Sequence, residues 1–86
     1  MNPHLLIAEP LPEYRVKLVF ENGEKRCFDA TPFLDKGVFQ KLRNPGVFAA
    51  VKVVAGSLEW PGEIDLSYDT LYLLSQPEEF DQASVA

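Results

Sequence analysis

The sequence predicts an α+β fold, a small antiparallel sheet of hairpins with short helices packed on one face. Three observations carry that expectation. Residues 14–20 alternate apolar and basic side chains, the pattern of a half-buried strand. Asn22-Gly23 follows directly, a pair that accepts the positive φ angles of a tight turn. Helical signals are confined to short stretches that begin at Thr31, Val38, Asn44 and Ser67. A chain of 86 residues makes one small domain, which buries roughly 60% of the surface its unfolded form exposes. Residues 1–77 are assigned to that domain, and residues 78–86 to an acidic, flexible tail.

Leu5-Leu6-Ile7-Ala8 reads as a first strand closed by Glu9-Pro10-Leu11-Pro12, because two prolines around one residue do not continue a central strand. In the strand over 14–20, Tyr14, Val16, Leu18 and Phe20 share one face and Arg15 and Lys17 the other. The turn type then decides what lies opposite. A two-residue loop at Asn22-Gly23 sets Phe28 across from Lys17, on the wrong side of the ribbon. A three-residue loop with Gly23 in the left-handed bulge position pairs Phe20 with Glu24 and Val16 with Phe28, and is preferred. It also sets Arg26 across from Leu18, which requires Arg26 to lie at a sheet margin or to extend past the core.

Thr31 followed by Pro32 predicts an N-cap and a single helical turn ending at Gly37. Residues 38–43 and 44–48 read as two further turns, the second opened by Asn44 with Pro45 behind it; Phe33, Leu34, Phe39, Leu42, Val47 and Phe48 are the apolar anchors. Residues 51–55, Gly56-Ser57 and residues 58–60 predict a second hairpin bounded by Pro61-Gly62. Ser67 caps a last helix that runs to Ser75, with Leu71 and Leu74 on one side. Trp60 and Ile64 close the core, and Asp65 competes with Ser67 as the cap.

Charge is sorted along the chain. All eight basic residues lie between Arg15 and Lys52, a stretch of net charge +4, whereas from Val53 onward there are seven acids and no base; the whole carries −5. Such asymmetry bears on the sign of a partner, not on the fold. With Cys27 as the only cysteine there is no disulfide framework, and the beginning of the chain lacks the basic and apolar regions of a signal peptide, so a cytoplasmic location is expected. No apolar run approaches the ~20 residues that span a bilayer.

No reaction is signalled. His4, the only histidine, sits beside Pro3 in a terminal segment expected to be mobile, a poor place for a general base. Cys27 neighbours Arg26, yet adjacent strand residues face opposite ways and no histidine is placed to act as its base, so an inert half-buried thiol is expected. Glu59, Glu63, Asp65 and Asp69 lack the spacing of a calcium loop, and the five glycines are scattered singly, leaving no phosphate loop. The expectation is a non-enzyme without metal or cofactor.

The succession Phe20-Glu21-Asn22-Gly23-Glu24, Phe28-Asp29-Ala30, then 37–48 with Asn44-Pro45-Gly46, then Leu58-Glu59-Trp60-Pro61, Ile64-Asp65-Leu66, Asp69 and Leu71-Tyr72 resembles the bacterial family catalogued as domain of unknown function 2442 (DUF2442). The resemblance implies a compact α+β domain and no assigned catalytic residues. It also implies a small protein partner, because family members are often encoded beside one in what looks like a toxin–antitoxin pair. Some relatives continue into a helix-turn-helix domain, which this sequence does not contain.

Two function classes follow. The first is a non-catalytic protein-binding module, the antitoxin-like partner of a small basic protein such as a toxin, docking through Glu59, Glu63, Asp69, Glu78, Glu79 and Asp81. The alternative is a nucleic-acid-binding or regulatory module using Arg15, Lys17, Arg26, Lys41 and Arg43, a reading opposed by the sequence pI of about 4.7. Homo-oligomers formed through the exposed strands at 5–8 or 51–55 are a further expectation, and no membrane contact is expected.

Overall fold

Val16, Leu18 and Phe20 are fully buried along one side of a strand, as their alternation with Arg15, Lys17 and Val19 requires. The computed structural model describes residues 2–77. Along the chain it contains β1 (Leu5–Leu11), β2 (Arg15–Phe20), β3 (Lys25–Asp29), α1 (Pro45–Ala49), β4 (Lys52–Val54), β5 (Ser57–Trp60), β6 (Ile64–Leu66), α2 (Tyr68–Leu74) and β7 (Gln76–Pro77), with 3-10 turns at Pro12–Tyr14, Thr31–Phe33 and Gly37–Arg43. The α+β class is as expected. The strands, however, divide into two antiparallel sheets, ordered β1-β2-β3-β7 and β4-β5-β6.

The first hairpin has the bulged loop. Gly23 N–H donates to Phe20 O at 2.9 Å, Phe20 N–H donates to Glu24 O at 2.9 Å, and Gly23 holds φ at 89°. Val16 consequently faces Phe28 and Leu18 faces Arg26, so Phe28 joins the buried row. The core gathers this row with Leu5, Leu42, Phe48, Leu58, Trp60, Ile64 and Leu71. Phe48 stacks on Trp60 with ring centres 6.2 Å apart, and Phe20 meets Tyr72 edge-on at 5.4 Å. Tyr14 packs edge-on against Phe48 and donates its hydroxyl to Arg43 O at 2.7 Å.

Several boundaries differ from the sequence expectation, each for a physical reason. The first strand does not stop at Ala8 but runs to Leu11 through Pro10, which lies opposite Val16; β1 is an outer strand, where proline's missing N–H breaks no ladder. Thr31 is inside its turn rather than capping it, and the Asp29 carboxylate accepts from both Thr31 N–H and Thr31 Oγ1. The second hairpin turns at Ala55-Gly56, one residue earlier than Gly56-Ser57, leaving Ser57 in β5. Asp65 does not cap α2, because Ile64–Leu66 pairs with β5 as a strand; Ser67 is the cap and accepts from Thr70 N–H at 3.3 Å. Asn44 caps α1 as expected, accepting from Gly46 N–H at 2.9 Å. Leu71 is buried, whereas Leu74 is 48% exposed.

The two sheets meet at the start of the chain. Leu5 N–H donates to Gly56 O at 2.9 Å, tying β1 to the β4–β5 turn. His4 is held rather than loose, its ring 4.2 Å from that of Tyr68 and its N–H directed to the Glu21 carboxylate.

Gly23 tests the register. A Cβ there would meet no atom within 4 Å, so the cost of Gly23→Ala is the left-handed φ alone. Urea unfolding is expected to show a loss of about 1 kcal/mol, with the denaturant slope unchanged.

Candidate functional site

The outward face of β4-β5-β6 is built by a two-residue turn. Ala55 and Gly56 have φ of 52° and 82°, the left-handed pair of a type I′ hairpin. Val54 and Ser57 flank the turn and exchange hydrogen bonds, and the alternation of an antiparallel ladder makes Lys52–Glu59 the next such pair. Leu58 and Trp60 therefore turn their main-chain groups toward Leu66 and Ile64. Glu59 and Asp65 are left as a non-hydrogen-bonded pair, the register in which cross-strand side chains come closest. Two carboxylates thus share the tightest position on this face, with Lys52 on the far side of Glu59 only.

Glu63 is exposed beside this row, in the turn after Pro61-Gly62, at φ 65°. It borders a hollow of about 360 Å³ with Lys52, Glu59 and Trp60. A second hollow of about 320 Å³ lies between Val54, Ser57, Glu59, Asp65 and Ser67. Of the acids expected to bind a partner, the fold thus brings Glu59 and Glu63 together. Asp69 stands apart in the first turn of α2, accepting from Asn2 Nδ2 at 3.0 Å. Glu78, Glu79 and Asp81 lie outside the described residues. Asp65 completes the acidic row and was missed as a member; the apolar-acid-apolar order Ile64-Asp65-Leu66 was the strand signal that could have found it.

The basic residues do not assemble. Arg15 and Lys17 lie on the outer face of the four-stranded sheet, directly opposite Asp29 and Glu9 in register. Arg26 is on the other face. Lys41 and Arg43 sit on the 3-10 turn Gly37–Arg43, Lys41 donating to Gly62 O at 3.4 Å, and Arg43 to Leu34 O at 3.0 Å and to the Asp35 carboxylate. A patch uniting Arg15, Lys17 and Arg26 is therefore not formed, because the bulged register turns Arg26 inward.

Arg26 is instead the clamp of α2. Its Nε donates to Ser75 Oγ and its Nη2 to Ser75 O, both at 2.7 Å, and the guanidinium lies 4.6 Å from the centre of the Tyr72 ring. A cation at the last carbonyls of a helix is favourably placed toward the helix dipole. Glu24 completes the group, 3.7 Å from Arg26 Nη1. Hydrogen bonds from Tyr72 and Asn22, helped by the Arg26 charge, hold the Glu24 carboxyl below its ordinary 4.5. The bond to Glu24 in turn holds the Tyr72 hydroxyl above 10.0.

Elsewhere, Pro10, Leu11, Tyr14, Pro45 and Phe48 line an apolar hollow of about 390 Å³. Cys27 is half-buried and in no disulfide. Among the described residues no three His, Cys, Asp or Glu side chains are grouped to hold a metal ion, and no helix is long and apolar enough to cross a membrane.

Residues 8–77 match the model of the family described as "Protein of unknown function (DUF2442)". No curated protein and no solved structure matches the chain.

Three outcomes are expected. Replacing Asp65 by Thr relieves the like-charge pair and raises stability by roughly 0.5 kcal/mol in low salt, a gain that shrinks as salt screens it; urea midpoints at two ionic strengths measure this. A lowered carboxyl pKa contributes stability that is complete above 4.5 and is lost as pH falls through the folded-state value. Glu24→Gln is therefore expected to flatten the acid limb of the stability–pH curve. A raised hydroxyl pKa acts oppositely, its contribution present below 10.0 and lost as pH rises through the folded-state value, so Tyr72→Phe alters the alkaline limb.

Proposed function

The chain belongs to the DUF2442 family, and on that premise we propose that it is a non-catalytic protein-binding module of the bacterial cytoplasm, the antitoxin-like partner of a small basic protein. The observation that carries this reading is the cross-strand Glu59–Asp65 pair on the outward face of β4-β5-β6, which has Lys52 across from Glu59 only and exposed Glu63 beside it. Like charges directly opposite one another cost stability, and sequences keep such local conflicts where function asks for them. A cationic side chain from a partner removes the conflict and gains two carboxylate acceptors at once. Because no base follows Lys52 in the sequence, the same face attracts a basic partner from a distance and speeds encounter.

Self-association is opposed at three of the four described outer strands, β1, β7 and β4, by their own sequences. Pro10 lies in β1 and Pro77 in β7, and β4 begins with Lys52, the residues that blunt strand-to-strand pairing.

The partner is sought by co-expression with the neighbouring small gene and co-purification at low salt. Capture of that gene's product is expected, weakening as salt rises. Glu59→Lys combined with Glu63→Lys is expected to reduce binding at least about tenfold, the scale of losing one or two charge-assisted hydrogen bonds. Recovery of this chain alone at low salt overturns the proposal.

A further inference from the structure

Among the described residues β6 has one hydrogen-bonded neighbour, β5, and its other edge is open. The ladder derived above settles which groups line that edge: Ile64 and Leu66 pair with Trp60 and Leu58, so the main-chain N–H and C=O of Asp65 both point away from β5. No hydrogen bond engages either group among the described residues, and Asp65 is exposed. The remaining outer strands are treated differently. β1 carries Pro10 and is tied to Gly56 by Leu5, and β7 carries Pro77. β4, the other outer strand of the smaller sheet, begins with Lys52, so β6 is the one of the four described outer strands with neither a proline nor a lysine, and it presents an unpaired donor and acceptor beside two carboxylates.

We infer that the acidic face is recognised by strand addition: an extended, basic segment of the partner pairs with the open edge of β6 and becomes a fourth strand of the β4-β5-β6 sheet. This inference rests on the binding-module reading above and names the form of the occupant. Charge complementarity selects it. A residue placed opposite Asp65 exchanges both main-chain hydrogen bonds with it, and in that register its side chain lies on the same face as Asp65 and Glu59. A lysine or arginine there answers the carboxylate pair. The next same-face position, two residues along, projects toward Glu63 or toward Ser67. The intervening side chains lie on the core side beside Ile64 and Leu66 and are best apolar. The recognised sequence therefore alternates basic and apolar residues, with main-chain bonds supplying affinity and alternate side chains specificity.

The test uses a ten-residue peptide of alternating lysine and valine, and two versions carrying N-methyl groups on every lysine or on every valine. The parent peptide is expected to bind the full chain and to slow hydrogen exchange at Asp65 N–H. Methylation of the lysine amides, which face Asp65, is expected to weaken binding at least about tenfold, whereas methylation of the valine amides, which face solvent, leaves it unchanged. Equal affinity of all three peptides overturns strand addition while leaving the acidic docking face standing. Failure of every peptide to bind at low salt removes the acidic-face reading and strand addition with it. Asp65→Pro and Asp65→Asn give the same separation from the protein's side. Both lose the charge, but only proline loses the N–H, and an edge position whose N–H faces solvent accommodates it. Proline is expected to weaken binding by more than asparagine; equal losses overturn the proposal. If Asp65→Pro fails to fold by circular dichroism, the methylated peptides decide.

Discussion

The left-handed φ at Gly23 is the constraint on which the structure depends. It inserts one residue into the first hairpin, and side chains on a strand alternate with a period of two, so that one residue decides the face of everything on β3. With the bulge, Phe28 stands in the row of Val16, Leu18 and Phe20 and is buried with them. The same choice turns Arg26 inward. There it receives the end of α2, and a charged residue facing a core becomes the fastener of the last helix. Phe20 is a shared member of both arrangements, under Tyr72 on one side and beside Leu5 on the other.

Where local chemistry determines the structure, the sequence was readable. The bulged loop follows from asking which register puts Phe28 among apolar neighbours. Asn44 and Ser67 cap because their side chains reach main-chain N–H groups two and three residues on. Where a distant neighbour determines the structure, the signal was absent or ambiguous. Pro10 excludes a central strand but not an outer one, and nothing in residues 5–12 states which of the two β1 is. Ile64-Asp65-Leu66 suits a strand or the lead-in to a helix, and only its pairing with β5 decides between them. Leu74 falls outside the core because the helix presents Leu71 and Tyr72 inward.

The candidate site was half legible for the same reason. The acids are evident in the sequence, but their grouping is a property of the second hairpin. Glu59 and Asp65 become neighbours only because the turn at Ala55-Gly56 sets the ladder's phase. The linear sorting of charge is partly undone in space: Glu9 returns to face Lys17 and Asp29 faces Arg15, which mixes the signs over the outer face of the larger sheet. On the smaller sheet Lys52 lies across from Glu59 and, among the described residues, no base lies across from Asp65.

The bond from Leu5 to Gly56 has a consequence for how the molecule comes apart. β1 belongs to the larger sheet through β2, yet its first residue is fastened to the hairpin of the smaller one, and Leu58, Trp60 and Ile64 share the same interior as Val16 and Leu18. Neither sheet has an apolar interior of its own to fall back on. Melting is therefore expected to be all-or-none, with both sheets lost in one transition and β1 acting as the clasp between them.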